Sequence, residues 1–178
     1  MNVTPTPLND CFLVTPPWYP DDRGGFMVAY NAEVWTKTFR GHAFIQDNLV
    51  HSKHGVIRGM HFQKTPHAQG KLVGVVQGRI KDIVIDLRPE SSTYLKKFEC
   101  ELTAENKQQL FVPKGFAHGY AVLSKEAVVL YKVDAPYFPE SEGGIVPTDP
   151  FFQLDWGVPK EAQIIHQRDL NWPLWKQA

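Results

Sequence analysis

The 178-residue sequence lacks the features that mark several large classes of protein. Its 19 basic and 19 acidic side chains cancel, which argues against binding of nucleic acid through a basic excess. It has no apolar run of about 18 residues, and its first residues lack the basic patch and apolar core of a secretory signal, so no membrane association is expected. Cys11 and Cys100 are too few for a disulfide scaffold or a zinc cluster. We expect a single cytoplasmic domain, residues 1–178, with two reduced thiols.

Long helical patterns are also missing. Only residues 31–39, the segment AENKQQL after Thr103, and residues 159–167 predict short helices. Short apolar or alternating segments separated by turn residues are more frequent, and no βαβ rhythm is present. We therefore predict an all-β sandwich or barrel, with the Pro- and Gly-rich segment PYFPESEGGIVPTDPFF as an ordered irregular loop. The predicted strands span residues 44–51, 55–63, 71–78, 78–89, 97–103, 109–113, 119–124 and 127–133.

Polar side chains inside these strands are the candidate functional residues, because burying them without partners is costly. A β-barrel that holds a metal typically offers His-x-His on one strand and a later His after a Pro-x-Gly turn. His61 and the Pro113-x-Gly115-x-x-His118 segment fit this pattern, but Gln63 stands where the second histidine is needed. Two histidines without a third ligand make a poor metal site, so we predict no metal.

Without a metal, the acid and base chemistry falls to side chains. A histidine can act as a general base near neutral pH, and a lysine can stabilise a developing enolate. A tyrosine on another strand can deliver a proton from the opposite side. His61, Lys71 and Tyr131 form such a set for proton abstraction beside a carbonyl, although a histidine or tyrosine in a strand is more often structural.

A series of distinctive motifs extends from about residue 10 to 174. In chain order they are DDRGGF, FIQDN, GVIRGMHFQ, QGKLVGVVQGRIKDIVIDLRPESSTY, LTAENKQQLFVPKGFAHGYAVLS, LYKVDAPYFPE and QRDLNWP. Through these motifs, which follow the family's order, the sequence resembles the dTDP-4-dehydrorhamnose 3,5-epimerase family. The resemblance implies a cupin-type jelly-roll barrel with a few short peripheral helices, a homodimer, and no cofactor or metal. It also implies a nucleotide-sugar substrate whose C3 and C5 both flank a C4 ketone.

The resemblance also implies residue roles. His61 takes the proton from the sugar carbon, and Asp169 is its paired carboxylate. Tyr131 protonates the opposite face, and Lys71 steadies the enolate oxygen. Tyr137 stacks on the nucleobase, and the arginines suit a diphosphate because guanidinium groups pair with phosphate oxygens. The substrate-binding residues that carry over are Arg23, Gln46, Asp47, Asn48, Arg58, His118, Tyr137, Glu142 and Arg168.

Two questions of geometry stay open from the sequence alone. Strict strand alternation puts Arg58 and His61 on opposite faces. Either Gly59 marks a bulge that re-aims one of them, or Arg58 reaches the site of a neighbouring subunit. Asp82 lies opposite the apolar face of its strand, so it either faces the interior near His61 or serves as a structural hydrogen-bond partner. We interpret His166 and the remaining histidines as surface residues.

The sequence departs from the family pattern at a few positions. Val28 stands where the family usually has a glutamate that contacts the nucleotide, and Pro136 and Pro147 replace a usual Tyr and Trp. A CDP-, GDP- or UDP-linked sugar is therefore an alternative substrate. The alternative activities are epimerisation at C3 or C5 alone and, less favoured, 3,4-ketoisomerisation. A sugar-binding cupin without catalysis is the alternative outside the enzymes.

Overall fold

The computed structural model describes residues 1–39 and 42–175. Within them lie two α-helices, α1 (Ala32–Thr38) and α2 (Gln167–Leu170), and single 3-10 turns at Pro139–Ser141 and Lys160–Ala162. The strands are β1 (Asn2–Pro5), β2 (Phe12–Thr15), β3 (Trp18–Asp21), β4 (Gly24–Met27), β5 (Gln46–Lys53), β6 (Val56–Gln63), β7 (Lys71–Gln77), β8 (Arg79–Asp86), β9 (Lys97–Thr103), β10 (Gln109–Val112), β11 (Phe116–Val122), β12 (Glu126–Val133), β13 (Glu142–Gly144) and β14 (Ile164–Ile165).

The strands form two facing sheets. The first has the order β1-β2-β10-β7-β12-β5, and the second has the order β13-β6-β11-β8-β9, with β14 added in parallel to β6. A separate hairpin pairs β3 with β4. Pairing within each sheet is otherwise antiparallel, and chain neighbours such as β5 and β6 lie in opposite sheets. This is the jelly-roll arrangement, and the predicted all-β fold is confirmed.

Strand alternation assigns the side chains of β8 to two cores. Val84 packs in the cluster between the sheets, together with Val73 and Val129 of the first sheet. Ile83 and Ile85 point outward, into a second cluster that the C-terminal segment covers. Asp82 therefore faces inward with Val84, as the alternation predicts.

The C-terminal segment covers the outer face of the second sheet. Phe152 and Trp156 pack on that face, and the Trp156 indole donates to the Pro147 carbonyl at 2.9 Å. On the outside of the first sheet, α1 places Trp35 against Leu72 and Phe111. The segment predicted as an ordered irregular loop has only the Pro139–Ser141 turn and β13 as regular structure.

All eight predicted strands form, with ends that shift by up to three residues. Helix α1 also forms within the predicted range, and its N-cap Asn31 accepts from the Val34 N–H at 3.0 Å. The helix predicted for residues 159–167 is instead a 3-10 turn, β14 and the start of α2. Neither helix of residues 1–39 and 42–175 has the length and apolar character needed to cross a bilayer.

The helix predicted after Thr103 is wrong. The chain there makes a turn in which the Thr103 hydroxyl accepts from the Asn106 N–H at 2.9 Å. The Asn106 side chain accepts from the Thr103 and Gln108 N–H groups at 3.1 and 3.0 Å, and Lys107 has φ 56°. Short polar side chains that bond to nearby backbone favour such turns over helix.

Candidate active site

A cavity of about 590 Å³ is lined by both sheets and by the C-terminal segment around α2. The second sheet contributes His61 and His118, and the first contributes Lys71 and Tyr131. The cavity therefore brings together the four predicted catalytic residues and three predicted binding residues. These seven are His61, Lys71, Tyr131, Asp169, Arg58, His118 and Arg168.

A bulge in β6 places Arg58 and His61 on the same side of their strand. In the register of β6 and β11, His61 pairs with His118 and Arg58 pairs with Tyr120. The interval from Arg58 to His61 is three residues, whereas the interval from His118 to Tyr120 is two, so β6 holds one extra residue. The extra residue is accommodated at Gly59, which has φ +145° and approaches Gly119 so closely that a Cβ would lie 2.5 Å from its Cα. Of the two explanations left open by the sequence, the structure therefore shows the bulge at Gly59, which lets Arg58 and His61 of one chain line the same cavity.

Asp169 reaches His61 because the end of the chain is folded back onto β6. Pairing of β14 with Val56 and Ile57 brings the short α2 helix over the strand, and His166 caps that helix through its Nδ1 at 3.1 Å. Asp169 Oδ1 then lies 2.8 Å from His61 Nε2. The pair has the arrangement in which a carboxylate fixes an imidazole tautomer and stabilises its protonated form.

The surroundings of Asp169 keep this carboxylate ionised. Burial favours the neutral form, but the hydrogen bond and charge of His61, the Gly59 N–H and Arg168 together outweigh burial and lower the pKa of Asp169. The Gly59 N–H lies 3.4 Å from Oδ2, and Arg168 Nε lies 3.5 Å from Oδ1. A charged Asp169 can stabilise the protonated form of His61.

A second histidine–carboxylate pair lies beside the first. His118 Nε2 is 2.9 and 3.1 Å from the two oxygens of Asp82, and both residues are buried. Asp82 is therefore the hydrogen-bond partner of His118 rather than of His61. Within residues 1–39 and 42–175, no group of three or more His, Cys, Asp or Glu side chains is arranged to hold a metal ion.

Lys71 and Tyr131 occupy the wall opposite His61. Lys71 begins β7 and pairs with Val133, two residues beyond Tyr131 on the same face of β12. Burial lowers the pKa of Lys71 to about 8, against the opposing charges of Asp82 and Glu142. Burial also raises the pKa of Tyr131, with Arg58 opposing it. At neutral pH the site therefore holds an ammonium group and a protonated phenol.

Tyr137, Glu142 and Arg168 form a cluster beside this cavity. The Tyr137 hydroxyl donates to Glu142 at 2.8 Å, and Arg168 lies 3.7 Å from the same carboxylate. Gln63 holds the loop before Tyr137, because its amide donates to the Pro136 carbonyl at 3.1 Å and accepts from the Phe138 N–H at 2.7 Å. Gln63, which stands where a metal-binding barrel needs its second histidine, thus holds this loop in place.

The remaining predicted binding residues lie outside this cavity. Arg23 sits in the β3–β4 hairpin and pairs only with Asp21 among the described residues. Asp47 pairs with Lys132 at 2.6 Å. Asn48 lies opposite Tyr131 in the β5–β12 register, and its side chain accepts from that of Gln46 at 2.7 Å, so these two lie next to the cavity.

Sequence reasoning missed two of the polar residues that line the cavity. His166 is exposed, as expected of a surface residue, but it also lines the cavity and caps α2. Tyr120 is absent from the predicted set, although it lies two residues after His118 on β11 and so shares its face. Strand alternation is the signal that points to Tyr120, whereas nothing local points to His166.

Comparison with known proteins agrees with this geometry. The sequence model of the family described as dTDP-4-dehydrorhamnose 3,5-epimerase matches residues 5–177. The dTDP-4-dehydrorhamnose 3,5-epimerase of Shigella flexneri is 40% identical over 172 residues, which cover 96% of this chain and 94% of the relative.

Solved structures give the same result. The dTDP-4-dehydrorhamnose 3,5-epimerase of Elizabethkingia anophelis superposes with a TM-score of 0.94 at 43% identity, covering 98% of this chain and 96% of the other. A Legionella pneumophila dTDP-6-deoxy-D-glucose-3,5-epimerase in complex with dTDP-4-keto-L-rhamnose has a TM-score of 0.92 at 36% identity, covering 97% and 92%. The predicted resemblance and the predicted epimerase class are confirmed: this chain belongs to the dTDP-4-dehydrorhamnose 3,5-epimerase family.

Proposed function

We propose that this epimerase inverts C3 and C5 of dTDP-4-dehydro-6-deoxy-D-glucose to give dTDP-4-dehydro-L-rhamnose. The observation that carries the proposal is the His61–Asp169 pair, 2.8 Å apart, on one wall of a cavity whose other wall holds Lys71 and Tyr131. A base on one wall and an acid on the other suit a reaction that removes a proton from one face of a carbon and returns one to the opposite face.

The proposed chemistry assigns one step to each group. His61 takes the proton from C3 or C5, and the electron pair of the broken C–H bond moves to the C4 oxygen as an enolate. Lys71 faces that oxygen with its positive charge. Tyr131 then donates its phenolic proton to the opposite face of the carbon, the carbonyl re-forms, and the two residues exchange protons with solvent. The ammonium of Lys71 and the phenol of Tyr131 are in the required states at neutral pH.

The proposed substrate-binding groups divide by position. Arg58 and Arg168 line the cavity and are suited to a diphosphate, and His118 supplies a further polar contact. Tyr137, which is largely exposed beside Glu142, is suited to stacking on a base. Gln46 and Asn48 are proposed to contact the ligand from the adjacent edge of β5.

Arg23 and Asp47 lie outside this chain's cavity, and we assign their proposed roles to a homodimer. β5 is the edge strand of the first sheet and exposes Leu49, and the β3–β4 hairpin exposes Tyr19 and Phe26. Apolar side chains on an open sheet edge favour pairing with a second chain. Sedimentation equilibrium is expected to give twice the 20.3 kDa chain mass, and a monomer at micromolar concentration would contradict this part.

We also place the enzyme in the cytoplasm. Both cysteines are free, and burial raises the pKa of the Cys11 thiol to about 12 and that of Cys100 as well. Protonated thiols, one buried and one half-buried, suit a reducing compartment, where no disulfide is needed. Fractionation of the source cells tests this: recovery with periplasmic or secreted markers would contradict it.

Deuterium exchange tests the proposed reaction directly. The protein is incubated with dTDP-4-keto-6-deoxyglucose in deuterated water, and label at each sugar carbon is followed by NMR. Label at both C3 and C5 is expected, while label at one carbon alone would make the protein a single-site epimerase. Absence of label would overturn the proposal for this nucleotide, and a parallel incubation with the UDP-linked sugar then tests the effect of Val28, which lies outside the cavity.

A further inference from the structure

The side-chain amide of Gln63 holds the backbone of Tyr137 from both sides. Its Nε2 donates to the Pro136 carbonyl at 3.1 Å, and its Oε1 accepts from the Phe138 N–H at 2.7 Å. These two groups belong to the peptide units before and after Tyr137, so one amide restricts both backbone torsion angles of that residue. Gln63 is buried, and its second N–H donates to the His67 carbonyl at 2.7 Å, so both donors and the acceptor of the amide are used.

The ring of Tyr137 is held from the neighbouring strand. The Tyr137 hydroxyl donates to Glu142 at 2.8 Å, and Glu142 of β13 is the register partner of Gln63 on β6. Phe138, the next residue, is held as well, because its ring stacks on that of His67 with the centroids 3.8 Å apart. One pair of residues, where β6 ends and β13 begins, thus holds both the backbone and the hydroxyl of Tyr137.

A second glutamine anchors the same segment without restraining Tyr137 itself. Gln69 donates through Nε2 to the Ala135 carbonyl at 2.7 Å. That carbonyl belongs to the peptide unit between Ala135 and Pro136, so neither peptide unit of Tyr137 is involved. The two glutamines therefore separate two effects: Gln69 anchors the segment, and Gln63 anchors Tyr137.

The exposure of Tyr137 shows that these contacts do not serve packing. Tyr137 is 53% exposed, whereas Gln63 beneath it is 6% exposed. Fixing an exposed ring costs side-chain entropy that burial of apolar surface does not offset, so the fold gains little from it. A ligand that stacks on the ring does gain, because a side chain already fixed in place need not be ordered on binding. A restrained and open aromatic face is therefore suited to a flat ligand group such as a nucleobase.

We propose that Gln63 is a positioning residue for nucleotide recognition, which holds Tyr137 so that its ring is ready to stack on the base of the substrate. This inference rests on the proposed function, because it requires a nucleotide whose base meets Tyr137. Gln63 does not line the cavity that holds His61 and Tyr131, so its contribution belongs to binding and not to the chemical step. The contribution should also disappear when the ring of Tyr137 is removed.

The test is Gln63→Met, which keeps the length of the side chain and removes its hydrogen bonds, with Gln69→Met as the matched control. Calorimetry with dTDP and with inorganic pyrophosphate separates the base from the phosphates. We expect Gln63→Met to weaken dTDP binding by about three- to tenfold, a part of the effect of one base–aromatic stack, and to leave pyrophosphate binding within about twofold of wild type. With dTDP-4-keto-6-deoxyglucose, KM should rise by a similar factor while kcat stays unchanged, which is the pattern of a lost binding contribution. Gln69→Met should bind dTDP within about twofold of wild type.

Tyr137→Ala supplies the decisive comparison. Removing the ring should weaken dTDP binding by about five- to 150-fold, the range for base–aromatic stacking. In this background Gln63→Met should change dTDP affinity by less than about twofold, whereas independent contributions would multiply. Gln63→Glu is the milder second variant for the case that Gln63→Met does not fold, because it keeps an acceptor for the Phe138 N–H and loses only the donors.

Two results would overturn the inference while the proposed function stands. In the first, Tyr137→Ala weakens dTDP binding, but Gln63→Met does not, or Gln69→Met weakens it equally. In the second, Gln63→Met lowers dTDP affinity by the same factor with and without the Tyr137 ring, or lowers kcat as well, which is the signature of a general structural role. If Tyr137→Ala binds dTDP as the wild type does, the proposed role of Tyr137 is overturned together with the inference. A wild type that neither labels the sugar nor binds dTDP would overturn the whole proposed function.

Discussion

The two histidine–carboxylate pairs in the cavity are made of the same groups at nearly the same distances. His61 and Asp169 are 2.8 Å apart, and His118 and Asp82 are 2.9 Å apart. The two histidines are register neighbours on β6 and β11. The pairs differ in where the carboxylate comes from, because Asp82 belongs to the inner strand β8 and Asp169 to the four-residue helix α2.

This difference in origin produces a difference in exposure. The side chain of His61 is 22% exposed and that of His118 is 9% exposed, while Asp82 has no exposed surface. Both oxygens of Asp82 are directed at His118, whereas Asp169 also faces the Gly59 N–H and Arg168. A pair embedded in strands holds its histidine in place, and a pair completed by a surface helix leaves its histidine accessible to a substrate. The difference in burial therefore distinguishes His118, a proposed binding group, from His61, the proposed base.

Removing each histidine is the strongest way to test this division. His61→Ala should lower the rate of deuterium incorporation at C3 and C5 by about 10²–10⁴-fold, the contribution typical of a general base. His118→Ala should act mainly by raising KM, since it removes a contact and leaves the base in place. Binding of dTDP to His61→Ala, measured by calorimetry, should stay within about threefold of wild type.

The exposed His51 supplies the control for this comparison, because it pairs with Glu126 away from the cavity. His51→Ala should retain wild-type rates. If His61→Ala exchanges near the native rate, or if His118→Ala loses as much kcat as His61→Ala, the division between the two pairs is wrong.

Exchanging each carboxylate for its amide gives a smaller but more discriminating effect. Asp169→Asn removes the charge that stabilises protonated His61, so kcat should fall by about 10- to 100-fold. The free energy of unfolding should also fall, because the fold lowers the pKa of Asp169 and so favours its charged form, but by less than in Asp82→Asn. Asp82→Asn leaves a fully buried amide against His118, which should lower the free energy of unfolding by about 1–3 kcal/mol. Urea titration and steady-state kinetics of both variants provide the two measurements. Equal stability losses in the two variants would mean that Asp169 is as structural as Asp82.

The two carboxylates differ in how far a local pattern places them. Alternation along residues 78–89 puts Asp82 on the face opposite Ile83 and Ile85, and that face is the one directed at the other sheet, although both faces of β8 are buried. Asp169 is 108 residues from His61 and reaches it only through the pairing of the two-residue β14 with β6. No local pattern encodes such a short strand, so only the family resemblance identified the partner.

The same limit explains which elements were missed. The exposed β1, the exposed hairpin β3–β4 and the short β13 and β14 have no apolar alternation, so no pattern predicts them. The four-residue β2 is apolar, but it is too short to be recognised as a strand without its pairing to β1 and β10. The bulge at Gly59 depends on its approach to Gly119 on another strand. The helix after Thr103 failed because side-chain bonds of Thr103 and Asn106 compete with helical ones. Elements set by local burial are predictable from the sequence, whereas elements that depend on contacts distant in sequence are not.

The smallest expected effect is a change in the pH dependence of kcat/KM. It distinguishes Asp82 from Asp169, because of these two only Asp82 influences the pKa of Lys71. Burial lowers the pKa of Lys71 to about 8 from 10.5, and of Asp82 and Asp169 only Asp82 counters that shift. If the ammonium steadies the enolate, kcat/KM should fall as pH rises through about 8, while at pH 7 only about a tenth of the ammonium is lost. Asp82→Asn should move this basic limb to lower pH, and Asp169→Asn should leave it in place. Lys71→Arg should remove the limb, since a guanidinium stays charged.

Stability should respond to pH in the opposite direction to activity. Because the pKa of Lys71 in the folded state lies below its unfolded value, the unfolded chain holds more protons between about pH 8 and 10.5. The cost of burying the ammonium is present in full below pH 8 and is relieved as pH rises across that window. Relative to Lys71→Met, the free energy of unfolding of the wild type should therefore increase with pH, measured by urea titration from pH 7 to 10. A basic limb of kcat/KM without this rise in stability would assign the limb to a group other than Lys71.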